Sequence, residues 1–332
     1  MSKLPVISVI VPFYNAEIYL EECIIGLLTQ TQNDLEFIFV DDCSTDSGLV
    51  VLYKVLNIFQ ERRTSVKIIK HTRNMGVATA RNTGLHAARG KYIAWVDADD
   101  WIESNMLESM FEEAERTNAD ILWTDFYNKY ENTEDYIIQE CKCTSLDIIK
   151  SLLDGYMIGA LWNKLIKRSL FIDFNIRFPD GLNMCEDLRV SIELFYYALK
   201  VTYLPNAFYK YNKCNQVSIS TQNASLPKRN LGWIENLKGI EFFIKDKGLF
   251  DQVEGRLLKR KLSPKKNLLV KGNSIEAYKE WKDIFPESNK YIWRTNMPIH
   301  YKILAWCVYN ELWGVIFLWI GFKKKVVTLL KK

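Results

Sequence analysis

The chain reads as an α/β protein, a mixed and mainly parallel sheet flanked by helices, with a helical extension behind it. Three observations carry that reading. Short apolar runs alternate with amphipathic stretches from residue 6 to residue 126, polar clusters fall just after the runs, and strand signal fades after Ser225. Residues 6–11 (VISVIV) are continuous and β-branched, as in a strand covered on both faces. Residues 17–30 place Ile18, Leu20, Cys23, Ile24, Leu27 and Leu28 on one helical stripe. Residues 35–40 predict a second strand, 49–60 a second helix, 66–70 a third strand, 77–88 a third helix and 92–96 a fourth strand. A helix over 103–116 and a strand over 121–126 follow. Such alternation predicts right-handed crossovers, with ligands bound beyond the carboxyl ends of the strands. Farther on, 145–153, 161–171 and 188–198 read as helices and 203–211 as a late, aromatic strand.

Composition excludes several classes. With 332 residues, 48% hydrophobic and 25% charged, and only 15 Gly and 8 Pro, the chain is globular rather than disordered or fibrous. The net charge of +4 hides an asymmetry: 22 basic and 30 acidic residues up to Ser225, 22 and 10 after it. That pattern is no uniformly basic nucleic-acid coat, and no nucleic-acid partner is expected. The 7 cysteines are odd in number and form no CxxC pair, so reduced cytoplasmic thiols are expected. His71, His86 and His300 lie too far apart in sequence to suggest a zinc site. The apolar run 6–13 is short and followed by acidic helical sequence, which argues against a signal peptide. A boundary is expected near 215–230, where Asn, Gln, Ser and Thr concentrate.

The polar clusters mark the functional edge. Pro12 to Asn15 follow the first strand; Asp41, Asp42 and Asp46 the second; Asn74 and Gly76 the third; Asp97, Asp99 and Asp100 the fourth. Any one cluster could be ordinary turn chemistry. Asp97-Ala98-Asp99, read as extended chain, puts two carboxylates on one side, a set suited to Mg²⁺ or Mn²⁺ shared with substrate phosphates. A phospho-receiver or a haloacid-dehalogenase-type phosphatase would carry its acidic motif after the first strand, and a nicotinamide dehydrogenase a G-x-G-x-x-G there. None is present, which leaves a nucleotide-sugar enzyme. A nucleotidyltransferase would want a Gly-rich phosphate loop where Pro12 to Asn15 stand.

Val9-Ile10-Val11-Pro12-Phe13-Tyr14-Asn15, Val40-Asp41-Asp42-Cys43-Ser44-Thr45-Asp46, Asn74-Met75-Gly76-Val77-Ala78-Thr79-Ala80-Arg81-Asn82 and Trp95-Val96-Asp97-Ala98-Asp99-Asp100 closely resemble, in order and spacing, the opening of family 2 glycosyltransferases of the bacterial polysaccharide-assembly type. The resemblance fades toward residue 215 through Trp162-Asn163-Lys164-Leu165 and Cys185-Glu186-Asp187. It implies a GT-A fold over 1–220, with donor binding in 1–100 and the acceptor side in 101–220. It also implies a nucleoside-diphosphate sugar donor, Mn²⁺ or Mg²⁺, and inverting transfer of a hexosyl unit to a saccharide or lipid-linked saccharide hydroxyl. Carried over residue by residue, Pro12, Tyr14, Asn15 and Asp42 serve the donor's base side, Asp42 accepting a uracil N3 proton and so favouring UDP or dTDP. Asn74, Gly76 and Arg81 approach ribose and diphosphate, Asp97 and Ala98 the ribose or sugar, and Asp99 holds the metal. Asp187 is the implied base, with Glu186, Trp162 and Lys164 on the acceptor side.

Each assignment has a plain structural counterpart. Asp100 could cap the next helix, Glu186 and Asp187 could simply begin one, Trp162 could be a core aromatic and Lys164 a solvated helix residue. The competing function is a catalytically silent nucleotide-sugar-binding or scaffold protein.

Residues 221–332 form the helical basic region. Residues 303–322 are long enough for a membrane span, yet Asn310 and Glu311 sit at its centre, where an acid costs about 2.5–3.5 kcal/mol. Trp306, Tyr309, Trp313 and Trp319, followed by Lys323, Lys324, Lys325, Lys331 and Lys332, fit an interfacial helix or helix pair. The expectation is a peripheral contact with anionic lipid on the inner face of the cytoplasmic membrane; the alternative is a helix packed onto the catalytic domain.

Overall fold

The structure is a computed structural model describing residues 4–142, 144–215 and 227–330, without the side chains of 227–230 and 324–330. The expected 220/221 boundary, Cys143, Lys331 and Lys332 lie outside the described residues, as do the side chains of Lys324 and Lys325. The chain divides into two compact units, Met1–Gln222 and Asn223–Lys332.

The first unit alternates β1 (Ile7–Phe13), α1 (Glu17–Leu28), β2 (Leu35–Asp41), α2 (Gly48–Ile58), β3 (Val66–Lys70), α3 (Val77–Ala87) and β4 (Tyr92–Trp95). It continues with β5 (Trp101–Ile102), α4 (Met106–Thr117), β6 (Ile121–Lys129), β7 (Glu134–Ile137), α5 (Ser145–Asp154), β8 (Lys164–Lys167), α6 (Arg168–Asp173), α7 (Glu186–Tyr197) and β9 (Val201–Asn212). The sheet order is β3-β2-β1-β4-β8-β6-β9-β5, with β7 on β6. β3, β2, β1 and β4 are parallel neighbours, so their carboxyl ends share one edge. β1 and β2 are buried at every residue, as their continuous apolar runs predict. Helix α3 lies so close to β1 that a Cβ on Gly84 would sit 2.3 Å from Ile10 Cγ2.

The other half of the sheet is where sequence and structure part. The stretch 161–171, expected as one helix, is strand β8 followed by the short α6. β8 runs antiparallel between β4 and β6, with Leu165 opposite both Ala94 and Leu122. A short apolar run such as Leu165-Ile166 fits helix or strand, and the open slot beside β4 decides it. β9 pairs parallel with β6 and antiparallel with β5, a two-residue strand.

The second unit is helical: α8 (Pro227–Asp246), α9 (Phe250–Arg260), α10 (Lys266–Val270), α11 (Ile275–Asp283), a 3-10 segment (Pro286–Arg294), α12 (Ile299–Tyr309) and α13 (Trp313–Leu330). Its core joins Leu269, Tyr278, Trp281, Ile292, Leu304, Val308 and Ile316. The 303–322 run is a helix pair, broken where Glu311 takes a left-handed φ of 58°. Among the described residues no helix is long and apolar enough to cross a membrane.

Candidate active site

The carboxyl edge of the parallel strands is stitched by its own polar groups. At the end of β1 Pro12 is buried; after the strand, Tyr14 is 46% exposed and Asn15 adopts a left-handed φ of 49°. Asn15 Oδ1 accepts from the Thr45 backbone N–H at 2.8 Å, and the Asn15 N–H donates to Ser44 Oγ at 3.1 Å, which ties the first loop to the second. Asp41, fully buried, accepts from the Ser44 N–H at 2.8 Å and holds that turn.

Asp42 closes the edge toward β3. Its Oδ1 accepts from the Met75 N–H at 2.8 Å and lies 2.7 Å from His71 Nδ1, and its Oδ2 accepts from the Gly76 N–H at 2.7 Å. A carboxylate only accepts, so His71 carries a proton on Nδ1; Nε2 faces Thr83 Oγ1 at 2.9 Å. Gly76 has φ 88°, and a Cβ there would fall 2.3 Å from Asn183 Nδ2. Asn74 beside it is exposed.

The segment after β4 corrects the extended-chain reading. Residues 97–100 form a turn closed by the Asp100 N–H donating to Asp97 O at 3.1 Å, and the turn brings the carboxylates together. Asp100 is not a helix cap: its Oδ2 accepts from Tyr209 OH at 2.7 Å and its Oδ1 from the Asn212 N–H at 2.7 Å, anchoring the turn to β9. Asp97 and Asp99 are half-buried and Ala98 is buried. Asp99 Oδ2 accepts from Asn215 Nδ2 at 2.7 Å. Burial, then the charge of Asp97, pushes the Asp99 carboxyl up. A divalent cation would reverse that penalty, and the hard oxygen donors of Asp99 and its neighbour suit Mg²⁺ or Mn²⁺ with substrate phosphates completing the shell.

Arg81, on α3, proves to be an internal bridge rather than a free diphosphate ligand. Its Nη1 donates to Glu186 Oε1 at 2.7 Å and its Nη2 to Asp97 Oδ1 at 3.2 Å, and the side chain is 9% exposed. Burial opposes its charge, but Asp97, Glu186 and Asp187 outweigh burial and hold the guanidinium firmly protonated. The same helix reaches the approach to α7: Asn82 Nδ2 donates to Phe178 O at 2.7 Å, and Thr79 Oγ1 to Asp180 Oδ1 at 3.1 Å. Through α3, the strand-end carboxylates and the start of α7 become one site.

At that start, Cys185 caps the helix with φ 66° and Glu186 and Asp187 form its first turn. Glu186 is buried; burial, then Asp187, raises its carboxyl to about 7, against the opposing pull of Arg81. Asp187 is half-buried, with Oδ1 accepting from the Leu188 N–H at 2.7 Å.

Two acceptor-side expectations are corrected. Trp162 is 3% exposed and stacks on Tyr209, ring centroids 4.3 Å apart, with Phe126 edge-on at 4.8 Å. It is a core aromatic. Lys164 is wholly buried in β8, its Nζ donating to Ile158 O, Ala160 O and Asn163 Oδ1. Burial lowers its ammonium from 10.5 to about 7, although Asp187 pulls the other way. It supports the loop before β8 from inside. That loop adjoins α7, since Ser191 Oγ donates to Gly159 O at 2.7 Å.

An open depression of about 560 Å³ lies between β3 and the outer face of α3, lined by Lys67, Thr79, Thr83 and Asp180 among others, and its lining includes none of the strand-end carboxylates. His71, Asn183, Tyr209, Asn212 and Asn215 contribute to the site and were not expected. Asn212 and Asn215 had a usable signal, since they follow the late strand as the other polar clusters follow theirs.

The profile of glycosyl transferase family 2 matches residues 8–174, half of the chain. The chain belongs to glycosyl transferase family 2. The chain is 33% identical over 218 residues to EpsJ of Bacillus subtilis, covering 63% of this chain and 62% of EpsJ. It therefore spans less than two thirds of that relative's length. With the cholesterol galactosyltransferase of Borreliella burgdorferi it shares 30% identity over 262 residues, 75% of this chain and 70% of that one. The crystal structure of S. aureus TarS in complex with UDP aligns at a TM-score of 0.68 and 22% identity, covering 92% of this chain and 87% of that one. With the sheet described above, that likeness identifies the GT-A fold.

Proposed function

We propose that this glycosyltransferase transfers a hexosyl unit from a UDP-sugar, with inversion, to a hydroxyl of a saccharide or lipid-linked saccharide, in cell-surface polysaccharide assembly on the cytoplasmic side of the membrane. One observation carries the reading: Arg81 bridges Asp97 of the strand-end turn and Glu186 beside Asp187, which sets a donor edge and an accessible carboxylate around a common centre. Pro12, Tyr14 and Asn15 shape the base side; Asp42, expected to meet the pyrimidine, is instead buried with its oxygens engaged by the Met75 and Gly76 N–H groups and His71, and orients the loop that carries Asn74 and Gly76. Asn74 and Gly76 approach the ribose and diphosphate, Asp97 and Ala98 the donor sugar. Asp99 holds Mn²⁺ or Mg²⁺, which supplies charge neutralisation of the departing diphosphate when bound.

Asp187 takes the acceptor proton while the acceptor oxygen attacks the anomeric carbon from the face opposite the diphosphate. Glu186, raised to about 7 and paired with Arg81, sits beside it as a hydroxyl partner. TarS, seen with UDP and with UDP-GlcNAc, supports the choice of UDP.

The test is calorimetric titration with UDP, with and without Mn²⁺, followed by a screen of UDP-sugars for Mn²⁺-dependent UDP release. Tight, metal-dependent UDP binding and turnover of at least one UDP-sugar are expected. Absence of UDP binding would sink the donor assignment, and binding without any turnover would leave the silent binder.

A further inference from the structure

Helices α12 and α13 of the second unit bury one face each and leave the opposite face apolar. Inward, Leu304, Ala305, Cys307, Val308, Ile316 and Ile320 join the unit's core. Outward, Ile299 (62% exposed), Ile303 (50%) and Trp306 (46%) recur at helical spacing on α12. Phe317 (70%), Leu318 (73%) and Phe322 (62%) do so on α13. A helix apolar on both sides has a second partner besides its own core.

The surrounding charge says what that partner is. Residues 299–332 contain six lysines and one acidic residue, Glu311, which is ion-paired with Lys282. Up to Ser225 the chain is acidic, and after it 22 basic residues face 10 acidic ones. A second copy of so basic a segment would be repelled, whereas an anionic leaflet attracts it. The aromatic content fits the same surface, since Trp306 and Tyr309 favour the headgroup region. Among the described residues neither helix is long and apolar enough to span, so the proposed contact lies in the plane of the interface.

We propose that the outer face of α12 and α13, centred on Trp306, Phe317 and Leu318, docks on an anionic phospholipid surface. It deepens the reading of a saccharide or lipid-linked acceptor by placing the enzyme at the membrane, but its test needs no donor or acceptor.

The full-length protein is floated on a density gradient with phosphatidylcholine vesicles or with vesicles of phosphatidylcholine and phosphatidylglycerol, at low and high salt. Wild type is expected to float with the phosphatidylglycerol vesicles and to lose much of that binding in high salt. The triple variant Trp306→Ser, Phe317→Ser, Leu318→Ser is expected to partition about tenfold less. Circular dichroism checks its fold, and Leu318→Glu, at the most exposed position, serves if the triple variant does not fold. Wild type remaining unbound with anionic vesicles overturns the proposal, as does a folded variant that floats like wild type. A concentration-dependent dimer that the same substitutions dissolve, without flotation, assigns the face to a second copy and also overturns it. UDP binding measured on the same preparation separates failure here from failure of the donor reading.

Discussion

The proposed donor edge and the proposed acceptor side of the first unit are built on opposite plans. Along the donor edge, consecutive loops hold one another through side chain to backbone bonds: Asn15 to Thr45, Asp42 to Met75 and Gly76, Asp100 to Asn212. Across from it, the loop before β8 is gathered from within by the buried ammonium of Lys164, and Asp187 lies half-buried at a helix start. A rigid edge suits the binding of a fixed ligand, while a carboxylate at the mouth of a helix suits proton transfer to whatever acceptor arrives. Identical chemistry, an acidic residue, therefore plays a structural part in one region and, on the proposed mechanism, a reactive part in the other.

The sharpest way to break that contrast is to neutralise Asp187 and Asp99 in turn. Asp187→Asn is expected to lower transfer by about 10²–10⁴-fold with UDP affinity unchanged, as for loss of a general base. Steady-state turnover and calorimetry read the two halves separately; equal loss of UDP binding would return Asp187 to the donor edge. Asp99→Ala is expected to abolish the Mn²⁺-dependent part of UDP binding and the turnover that depends on it. Metal dependence that survives this substitution would move the ion to other ligands.

A smaller effect comes from the joint between the regions. Arg81→Met leaves Glu186 buried without its cation, and breaking a buried pair in this way costs about 3–5 kcal/mol. Urea unfolding should show that loss, and Arg81→Met with Glu186→Gln should recover a good part of it, because the orphaned charge is gone. If the double variant is no more stable than the single one, the bridge is not what joins the two regions.

The same contrast explains what was legible in the sequence. The donor edge could be read because every cluster directly follows a continuous apolar strand, so chain position gives spatial position. Asp42, Asp97 and Asp99 thereby lie at the carboxyl edge that the sequence predicts for them. The acceptor side depends on pairing that no local pattern encodes. β8 looks helical until β4 and β6 are known to leave a slot, and Lys164 then turns inward with the pleat instead of facing solvent. Trp162 became a core residue for the same reason, stacked on Tyr209 of a strand 47 residues farther along the chain. Arg81 carried the right motif, but its partners Asp97 and Glu186 lie 16 and 105 residues away, and only the folded chain shows that they neutralise it.

The smallest expected effects are in the pH dependence of stability, where two buried groups of this site act with opposite sign. Lys164 is depressed by burial from 10.5 to about 7, so the unfolded chain binds its proton more tightly than the folded one between those values. Its contribution is fully present above 10.5 and is lost as pH falls through about 7, so stability rises with pH across that window, on the order of 1–2 kcal/mol between pH 7 and 9. Glu186 is raised by burial and by Asp187 from 4.5 to about 7, so its contribution is present below 4.5 and is lost as pH rises through about 7. Lys164→Met should therefore flatten the rise above pH 7, and Glu186→Gln the fall between pH 4.5 and 7. Lys265 in the second unit, also pushed to about 7 by burial, supplies a control: Lys265→Met should flatten the alkaline rise without changing turnover. Urea titrations at successive pH values separate these slopes from any uniform loss of stability. An unchanged alkaline slope in Lys164→Met would mean that the ammonium beneath the acceptor loop is solvated, and the inward-held plan of that region would fail with it.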